Sequence, residues 1–182
     1  MTKPEILPPL TLILGGQRSG KSAYGESLID AHGVGGVYLA TTDSNLAKQD
    51  DEMLARINAH KARRGQNWDT VEEAIDIKSA IGRIGGEKPI LIDSLGMWVA
   101  NMIEAGRYPE DEAGNLAQAL FSHPAPVVVI SEETGLGLIP ENALGRNFVD
   151  ALGVLNQTIG AVAENVVLCV AGIPLTIKKK EQ

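Results

Sequence analysis

The chain has 182 residues, of which 44% are hydrophobic and 21% are charged, and its formal net charge at pH 7 is −7. This length suits one domain with a sizeable core, since domains usually hold about 100–200 residues. The acidic balance argues against a general nucleic-acid-binding protein, which would present a basic surface. Cys169 is the only cysteine, so an intrachain disulfide is excluded.

The N-terminus and the hydropathy pattern bear on location and domain limits. No apolar run approaches the roughly 18 residues that a membrane-spanning helix needs. The first residues also lack the apolar region of a signal peptide. We therefore expect a cytoplasmic protein without a membrane span. Residues 1–10 are expected to be a short disordered lead-in, and residues 11–182 a single catalytic domain.

A glycine-rich turn follows the first apolar run of the chain. Residues 11–14 are β-prone, and the stretch from Gly15 to Ser22 matches G-x-x-x-x-G-K-[ST] without deviation. Glycines let backbone N–H groups converge on phosphate oxygens, and the helix that follows adds its positive dipole end. Lys21 would bridge the β- and γ-phosphates, and the Ser22 hydroxyl would bind Mg²⁺. An ordinary β–α turn is the alternative, but the pattern indicates a nucleoside triphosphate site.

Predicted strands and helices alternate along the rest of the chain. The predicted strands cover residues 36–41, 68–72, 89–94, 126–130, 166–170 and 175–177. The predicted helices cover residues 23–31, 46–64, 73–84, 95–105, 109–122 and 142–164. This alternation predicts a three-layer α/β domain with a mostly parallel central sheet. Ligands of such domains bind at the carboxyl ends of the strands, so Thr41, Thr42 and residues 135–140 are expected at the site.

An acidic residue ends one of these strands. The apolar run from Pro89 leads into Asp93, which is the Walker-B form, where a hydrophobic strand delivers a carboxylate beside the P-loop. Such strands are common, so the pattern alone is weak. In a chain that already carries a P-loop, it predicts that Asp93 holds the Mg²⁺ shell.

The second predicted helix carries a histidine between two arginines. His60 lies four residues after Arg56 and four before Arg64. On a helix it points within about 60° of both, close to the apolar face. Nearby cations favour the neutral imidazole, which is the form that can attack phosphorus. From these residues alone, the alternative is a packed histidine beside solvated charges.

Several stretches of the chain occur together, in this order and at this spacing, in one known family. They are residues 15–22, 38–42, 51–53, 56–57, 60, 68–72, 91–95, 98–99, 101, 135–142, 156–157 and 172–174. The chain resembles the bifunctional adenosylcobinamide kinase/adenosylcobinamide-phosphate guanylyltransferase family of cobalamin biosynthesis. The resemblance runs from about Leu12 to Lys178. Many families share the P-loop, whereas the stretch around His60 and residues 135–142 are far more specific.

The resemblance implies a RecA-like P-loop NTPase fold, a homotrimer and two activities. Enzymes of this family phosphorylate the hydroxyl of adenosylcobinamide's aminopropanol arm, using GTP or ATP. They then transfer GMP from GTP to that phosphate, which gives adenosylcobinamide-GDP and pyrophosphate. In the family the second step passes through a guanylylated histidine, and His60 matches that position.

Motif and resemblance together define the expected site. His60 and Lys21 would be catalytic, and Ser22 and Asp93 would hold Mg²⁺. Nucleotide contacts would fall at Gly15, Gly16, Gln17, Arg18, Ser19, Gly20, Lys21, Ser22, Ala40, Thr41, Thr42, Lys61, Ala62, Arg63, Arg64, Glu72 and Asp93.

One pair of residues departs from the family's pattern. The family usually has Asn-Glu before the glycine loop, whereas this chain has Glu132 and Glu133. The change adds a negative charge near the expected phosphates. It therefore bears on binding of the corrinoid phosphate and on the balance of the two activities.

Two other functions also fit a P-loop protein. One is a small-molecule kinase without nucleotidyl transfer, in which His60 would be structural. The other is a nucleotide-dependent regulatory module that hydrolyses GTP slowly and transfers nothing to cobinamide. The order of the motifs favours the bifunctional enzyme.

Overall fold

The computed structural model describes residues 7–42, 64–65 and 67–180. Its strands are β1 (Leu10–Gly15), β2 (Gly36–Ala40), β3 (Trp68–Glu72), β4 (Ile90–Asp93), β5 (Val127–Glu132), β6 (Asn165–Val170) and β7 (Ile173–Lys179). Its helices are α1 (Lys21–His32), α2 (Ile77–Arg83), α3 (Leu95–Glu104), α4 (Pro109–Phe121) and α5 (Ala143–Val162). The helix predicted over residues 46–64 lies outside this description except for its last residue.

The described strands form one sheet in the order β3-β2-β4-β5-β1-β6-β7. All neighbouring pairs are parallel except β6 and β7. This confirms the mostly parallel sheet. Parallel strands end at the same edge of the sheet, so the last residues of β1, β2, β4 and β5 all lie at that edge. Gly15 lies opposite Glu132 in the register of β1 and β5, and Ala40 lies opposite Asp93 in that of β2 and β4.

Helices cover both faces of the sheet, because its central strands are apolar on both sides. In β1, Leu12 belongs to a buried cluster with residues of α2, α3, α4 and α5. The next residue, Ile13, packs in a second cluster on the opposite face with Ile29 of α1. Alternation along a strand thus feeds two separate hydrophobic layers. The arrangement confirms the predicted three-layer α/β class.

Helix α2 begins at Ile77, whereas the sequence predicted a start at Glu73. The Glu73 carboxylate accepts hydrogen bonds from the backbone N–H groups of Ile75 (3.0 Å) and Asp76 (2.9 Å). This local turn competes with the helical hydrogen-bond pattern. Asp76 then caps the helix by accepting from the Ser79 N–H at 3.4 Å. Glu73 therefore delays the start of the helix, and Asp76 opens it.

The ends of the described chain also differ from the prediction. Leu7 is already buried, and β1 begins at Leu10. At the other end, β7 is longer than the predicted residues 175–177, and it is exposed along its whole length. No helix among residues 7–42 and 67–180 has the length and apolar character required to cross a membrane.

Candidate nucleotide-binding site

The glycine-rich loop joins β1 to α1 at the carboxyl edge of the sheet. Gly20 has a φ of 93° and Arg18 a φ of 57°, both in the left-handed region. A Cβ at Gly20 would also lie 3.0 Å from the Cα of Gly172. Position 20 therefore needs glycine both for its backbone conformation and for space. The Gly172 N–H donates to the Ser19 carbonyl at 2.9 Å, which joins the loop to the β6–β7 turn.

A buried hydroxyl inside the loop has no hydrogen-bond partner among the described residues. Ser19 is 7% exposed, and its Oγ is one of the few buried side-chain atoms without such a partner in this part of the chain. Buried polar atoms in folded proteins are nearly always paired. Gly16 and Gln17 beside it are exposed residues. The loop therefore has the features of a site for a polar ligand.

The P-loop lysine is folded back over the loop. Lys21 is 7% exposed, and its Nζ donates to the Gly16 carbonyl at 3.3 Å. The same Nζ lies 3.4 Å from Oε1 of Glu132, at the end of the neighbouring strand β5. A buried ammonium needs such partners, because an unpaired charge in the interior is costly. Lys21 is thus held at the mouth of the loop, where the motif predicts phosphates.

Glu132, which is not among the predicted contact residues, lies at the centre of the contacts around Lys21. Its Oε2 accepts hydrogen bonds from the Ser94 hydroxyl (3.1 Å) and from the Gly96 N–H (2.9 Å) at the start of α3. One carboxylate therefore connects the P-loop lysine with the helix that follows β4. Two sequence signals pointed to Glu132: its place at the carboxyl end of a buried strand, and its departure from the Asn-Glu pair of the family that the chain resembles.

Asp93 is held by a tyrosine from β2. The Tyr38 hydroxyl donates to Oδ2 of Asp93 at 3.1 Å. Burial and then the nearby Asp93 carboxylate raise the pKa of the Tyr38 phenol above its ordinary value. The phenol therefore stays protonated at neutral pH and acts as a donor. The Arg64 guanidinium lies 3.6 Å from the centre of the same ring, in cation–π geometry.

Thr41 links the ends of β2 and β4. Its hydroxyl donates to the Ser94 carbonyl (2.7 Å) and accepts from the Ser94 N–H (2.8 Å). The side chain is fully buried. Asn101 of α3 adds a donation from Nδ2 to the Thr41 carbonyl at 2.7 Å. These contacts fix the wall of the site beside Asp93, and the predicted nucleotide contact of Thr41 stays a prediction.

The predicted contact residues fall into two groups along one sheet edge. The loop residues Gly15–Ser22 follow β1, whereas Ala40, Thr41, Thr42 and Glu72 lie at or beyond the ends of β2 and β3. Arg64 precedes β3, and its guanidinium lies over the Tyr38 ring of β2. Four strand steps separate β1 from β3, or roughly 19 Å at the usual strand spacing. Asp93 lies between the two groups, on β4. His60, Lys61, Ala62 and Arg63 lie outside the described residues.

Two of these residues fit the chemistry of a Mg²⁺ ion. Within the described ranges no group of three His, Cys, Asp or Glu side chains could hold a metal. A P-loop site does not need one, because Mg²⁺ there binds one or two protein oxygens together with waters and phosphates. The Ser22 hydroxyl and the Asp93 carboxylate offer oxygens of that kind from the same edge of the sheet. The metal itself stays a prediction.

Loop and sheet together define the class of protein. A glycine-rich loop follows β1, an acidic strand end lies on β4, and β5 separates the two strands. This is a RecA-like P-loop NTPase fold. The solved structure of the flagellar accessory protein FlaH from Methanocaldococcus jannaschii is similar to this chain, with a TM-score of 0.56 and 15% identity. The similarity covers 96% of this chain and 80% of that one, and at this identity it shows the fold alone.

Sequence comparison identifies the family. Residues 11–177 match the family described as cobinamide kinase / cobinamide phosphate guanyltransferase. The bifunctional adenosylcobalamin biosynthesis protein CobP of Pseudomonas aeruginosa is 35% identical over 92% of this chain and 96% of that protein. The proteins of the same description named CobU from Salmonella typhimurium and Escherichia coli are 36% and 34% identical, over 93% of this chain and 99% of theirs. The chain belongs to this family of enzymes, which confirms the predicted family and enzyme class.

Proposed function

We propose that this protein phosphorylates adenosylcobinamide with GTP or ATP and then transfers GMP from GTP to the resulting phosphate. The observation that carries the proposal is the buried lysine of a complete P-loop, paired across the sheet edge, in a chain that matches this family over residues 11–177. GTP or ATP would be the phosphate donor, and the acceptor would be the hydroxyl of the aminopropanol arm.

The kinase step would use the loop side of the edge. The acceptor hydroxyl attacks the γ-phosphorus, the bond from that phosphorus to the β,γ-bridging oxygen breaks, and the nucleoside diphosphate leaves. Lys21 and the loop N–H groups stabilise the charge on the transferred group. Mg²⁺, when bound near Ser22 and Asp93, would neutralise charge on the phosphates. The orphan hydroxyl of Ser19 supports a ligand in this loop.

The guanylyl step would use His60. Its imidazole attacks the α-phosphorus of GTP, pyrophosphate leaves, and the phosphate of adenosylcobinamide phosphate then displaces the imidazole from GMP. Two displacements thus replace one difficult transfer. The family membership supports this role. The basic residues Lys61, Arg63 and Arg64 would neutralise the α-phosphate.

Labelled GTP separates this function from a plain kinase. Incubated with α-labelled GTP and Mg²⁺, the protein is expected to acquire acid-labile, base-stable label, as a histidine phosphoramidate would. His60→Ala should abolish the label, and His32→Ala, at the far end of α1, should retain it. Equal labelling of His60→Ala and the parent would disprove the histidine assignment. A product marked by γ-labelled but not by α-labelled GTP would instead identify a kinase without nucleotidyl transfer.

We also infer that the protein assembles as a homotrimer. The exposed strand β7 supports an interface between copies, because Ile173, Leu175 and Ile177 are 58–69% exposed on an edge strand. Apolar edge strands usually need cover in folded proteins.

A further inference from the structure

The carboxylate of Glu132 gives the P-loop lysine a counter-ion within the chain itself. Its Oε1 lies 3.4 Å from the Lys21 Nζ, and the two side chains are 24% and 9% exposed. Lys21 is also the residue that the motif assigns to the β- and γ-phosphates. A bound triphosphate would therefore have to share this ammonium with Glu132 or displace it.

Contacts with the start of α3 hold the Glu132 carboxylate in place. Its second oxygen, Oε2, is fixed by the Ser94 hydroxyl and the Gly96 N–H. A Cβ at Gly96 would collide with the same carboxylate. The lack of a side chain at Gly96 therefore leaves space for the Glu132 carboxylate. Ser94 caps α3, so the carboxylate also meets the positive end of that helix. Lys21 from the P-loop, and Ser94 and Gly96 from the start of α3, thus converge on one side chain.

A phosphate that takes Lys21 would leave this carboxylate partly buried beside a like charge. Coulomb repulsion between the two anions opposes binding, because the Glu132 side chain is only 24% exposed and water screens it incompletely. The carboxylate would also lose its counter-ion, while it keeps the hydrogen bonds from Ser94 and Gly96. A divalent cation on the phosphates removes much of this penalty, because it lowers the negative charge that faces Glu132. The penalty therefore falls mainly on the metal-free nucleotide.

We propose that Glu132 is a specificity-determining residue that makes the site select metal-complexed over metal-free nucleoside triphosphate. The inference rests on the proposed function only in requiring that GTP binds at this loop. An asparagine at this position would carry no charge to repel the phosphates. The selectivity is thus a property of this chain's own residue.

Equilibrium binding of GTP tests the proposal directly. Dissociation constants are measured by calorimetry in EDTA and in excess Mg²⁺ for the parent, Glu132→Gln and Glu132→Asn. Gln keeps an oxygen for Ser94 and Gly96 but carries no charge. The matched control is Glu164→Gln, because Glu164 is 22% exposed and also pairs with a lysine, Lys180, at 2.7 Å on the opposite edge of the sheet. Thermal unfolding of each variant verifies that it is folded.

The expected result is that Glu132→Gln binds metal-free GTP about tenfold more tightly than the parent, with a smaller change for the Mg²⁺ complex. Glu132→Asn should change in the same direction, and Glu164→Gln should match the parent. The proposal would be overturned if both Glu132 variants bound metal-free GTP no more tightly than the parent, or if they gained the same factor in affinity for the Mg²⁺ complex. A parent that binds GTP under neither condition would overturn the nucleotide site itself, and with it the proposed function.

Discussion

The two halves of the sheet edge are organised differently. On the β1 side, loop, strand and helix residues hold one another within a few ångströms, and Lys21 and Ser19 are both buried. On the β2–β3 side, Glu72 is exposed at the end of an edge strand, and the Arg64 guanidinium stacks on the Tyr38 ring. The first half is set by a continuous motif and its immediate neighbours. The second depends on segments that are distant in sequence.

Strand β4 belongs to both halves. Asp93 at its end accepts from Tyr38 of β2, and the next residue, Ser94, donates to Glu132 of β5. A substitution in β2 can therefore disturb the contact with Asp93, and a substitution in β5 can disturb the contact with Ser94. Substitutions that remove single contacts can show whether the halves work separately.

The largest effect is expected from Lys21→Ala. The substitution removes the cation nearest the transferred phosphoryl group, so the rate of adenosylcobinamide phosphorylation should fall by about 10²–10³-fold. The rate is measured with γ-labelled GTP. Guanylylation of His60 should fall less, if the α-phosphate is neutralised mainly by residues on the other side of the edge.

The control for this variant is Lys180→Ala. Lys180 pairs with Glu164 and is 67% exposed, so its loss should leave both activities intact. An undiminished kinase rate in Lys21→Ala would remove the P-loop from catalysis. Equal loss of both activities would show that the two halves share one phosphate-binding element.

The geometry of the β1 side could be predicted because it depends mainly on consecutive residues. Gly15 to Ser22 are consecutive, and both the left-handed Gly20 and the buried Lys21 follow from that motif. Asp93 could be predicted too, since a buried strand ending in an acid is visible in the sequence. The sequence placed the charge of Glu132 near the expected phosphates, but it could not give the contacts of Glu132 with Lys21 and Gly96, because these arise only when β5 lies between β1 and β4. No pattern in the sequence states that strand order.

The same limit applies to the fold's details. The alternation of apolar runs predicted the layers, but the start of α2 depended on which backbone groups the Glu73 carboxylate reaches. Side-chain-to-backbone bonds of this kind compete with helix formation, and propensity alone does not decide between them. The pairing of Tyr38 with Asp93 was likewise hidden, since Tyr38 reads as an ordinary residue of a buried strand.

An intermediate effect is expected from Thr41→Val, which keeps the shape of the side chain. The Ser94 N–H and carbonyl would both lose their partner in a fully buried place. The free energy of unfolding should fall by about 2 kcal/mol or more, measured by urea denaturation. Thr158→Val is the control, because its hydroxyl donates only to the Val154 carbonyl one turn back on an exposed face of α5. If the two substitutions cost the same, Thr41 does not secure the junction of β2 and β4.

The smallest effect is expected from Tyr38→Phe, which removes only the hydrogen bond to Asp93 and should cost about 1 kcal/mol at pH 7. The pKa of the Tyr38 phenol is raised in the folded state. The protonated phenol therefore favours folding at pH values below about 10, which is the pKa of tyrosine in the unfolded chain. That contribution is lost as the pH rises further, at up to about 1.4 kcal/mol per pH unit. Urea denaturation of both proteins from pH 7 to 11 should therefore show their difference shrinking above pH 10. Cys169, whose thiol pKa is also raised by burial, is common to both and cancels.

Tyr38→Leu completes the test of the two halves. The phenylalanine variant keeps a ring for the Arg64 guanidinium, and the leucine variant removes it. A larger loss of α-label in Tyr38→Leu than in Tyr38→Phe would show that the ring orients the residues around His60. Equal labelling of the two variants would show that guanylylation does not depend on the stacking of Arg64 on the Tyr38 ring. In that case only the hydroxyl bond joins Tyr38 to the reaction, through Asp93 and the strand that both halves share.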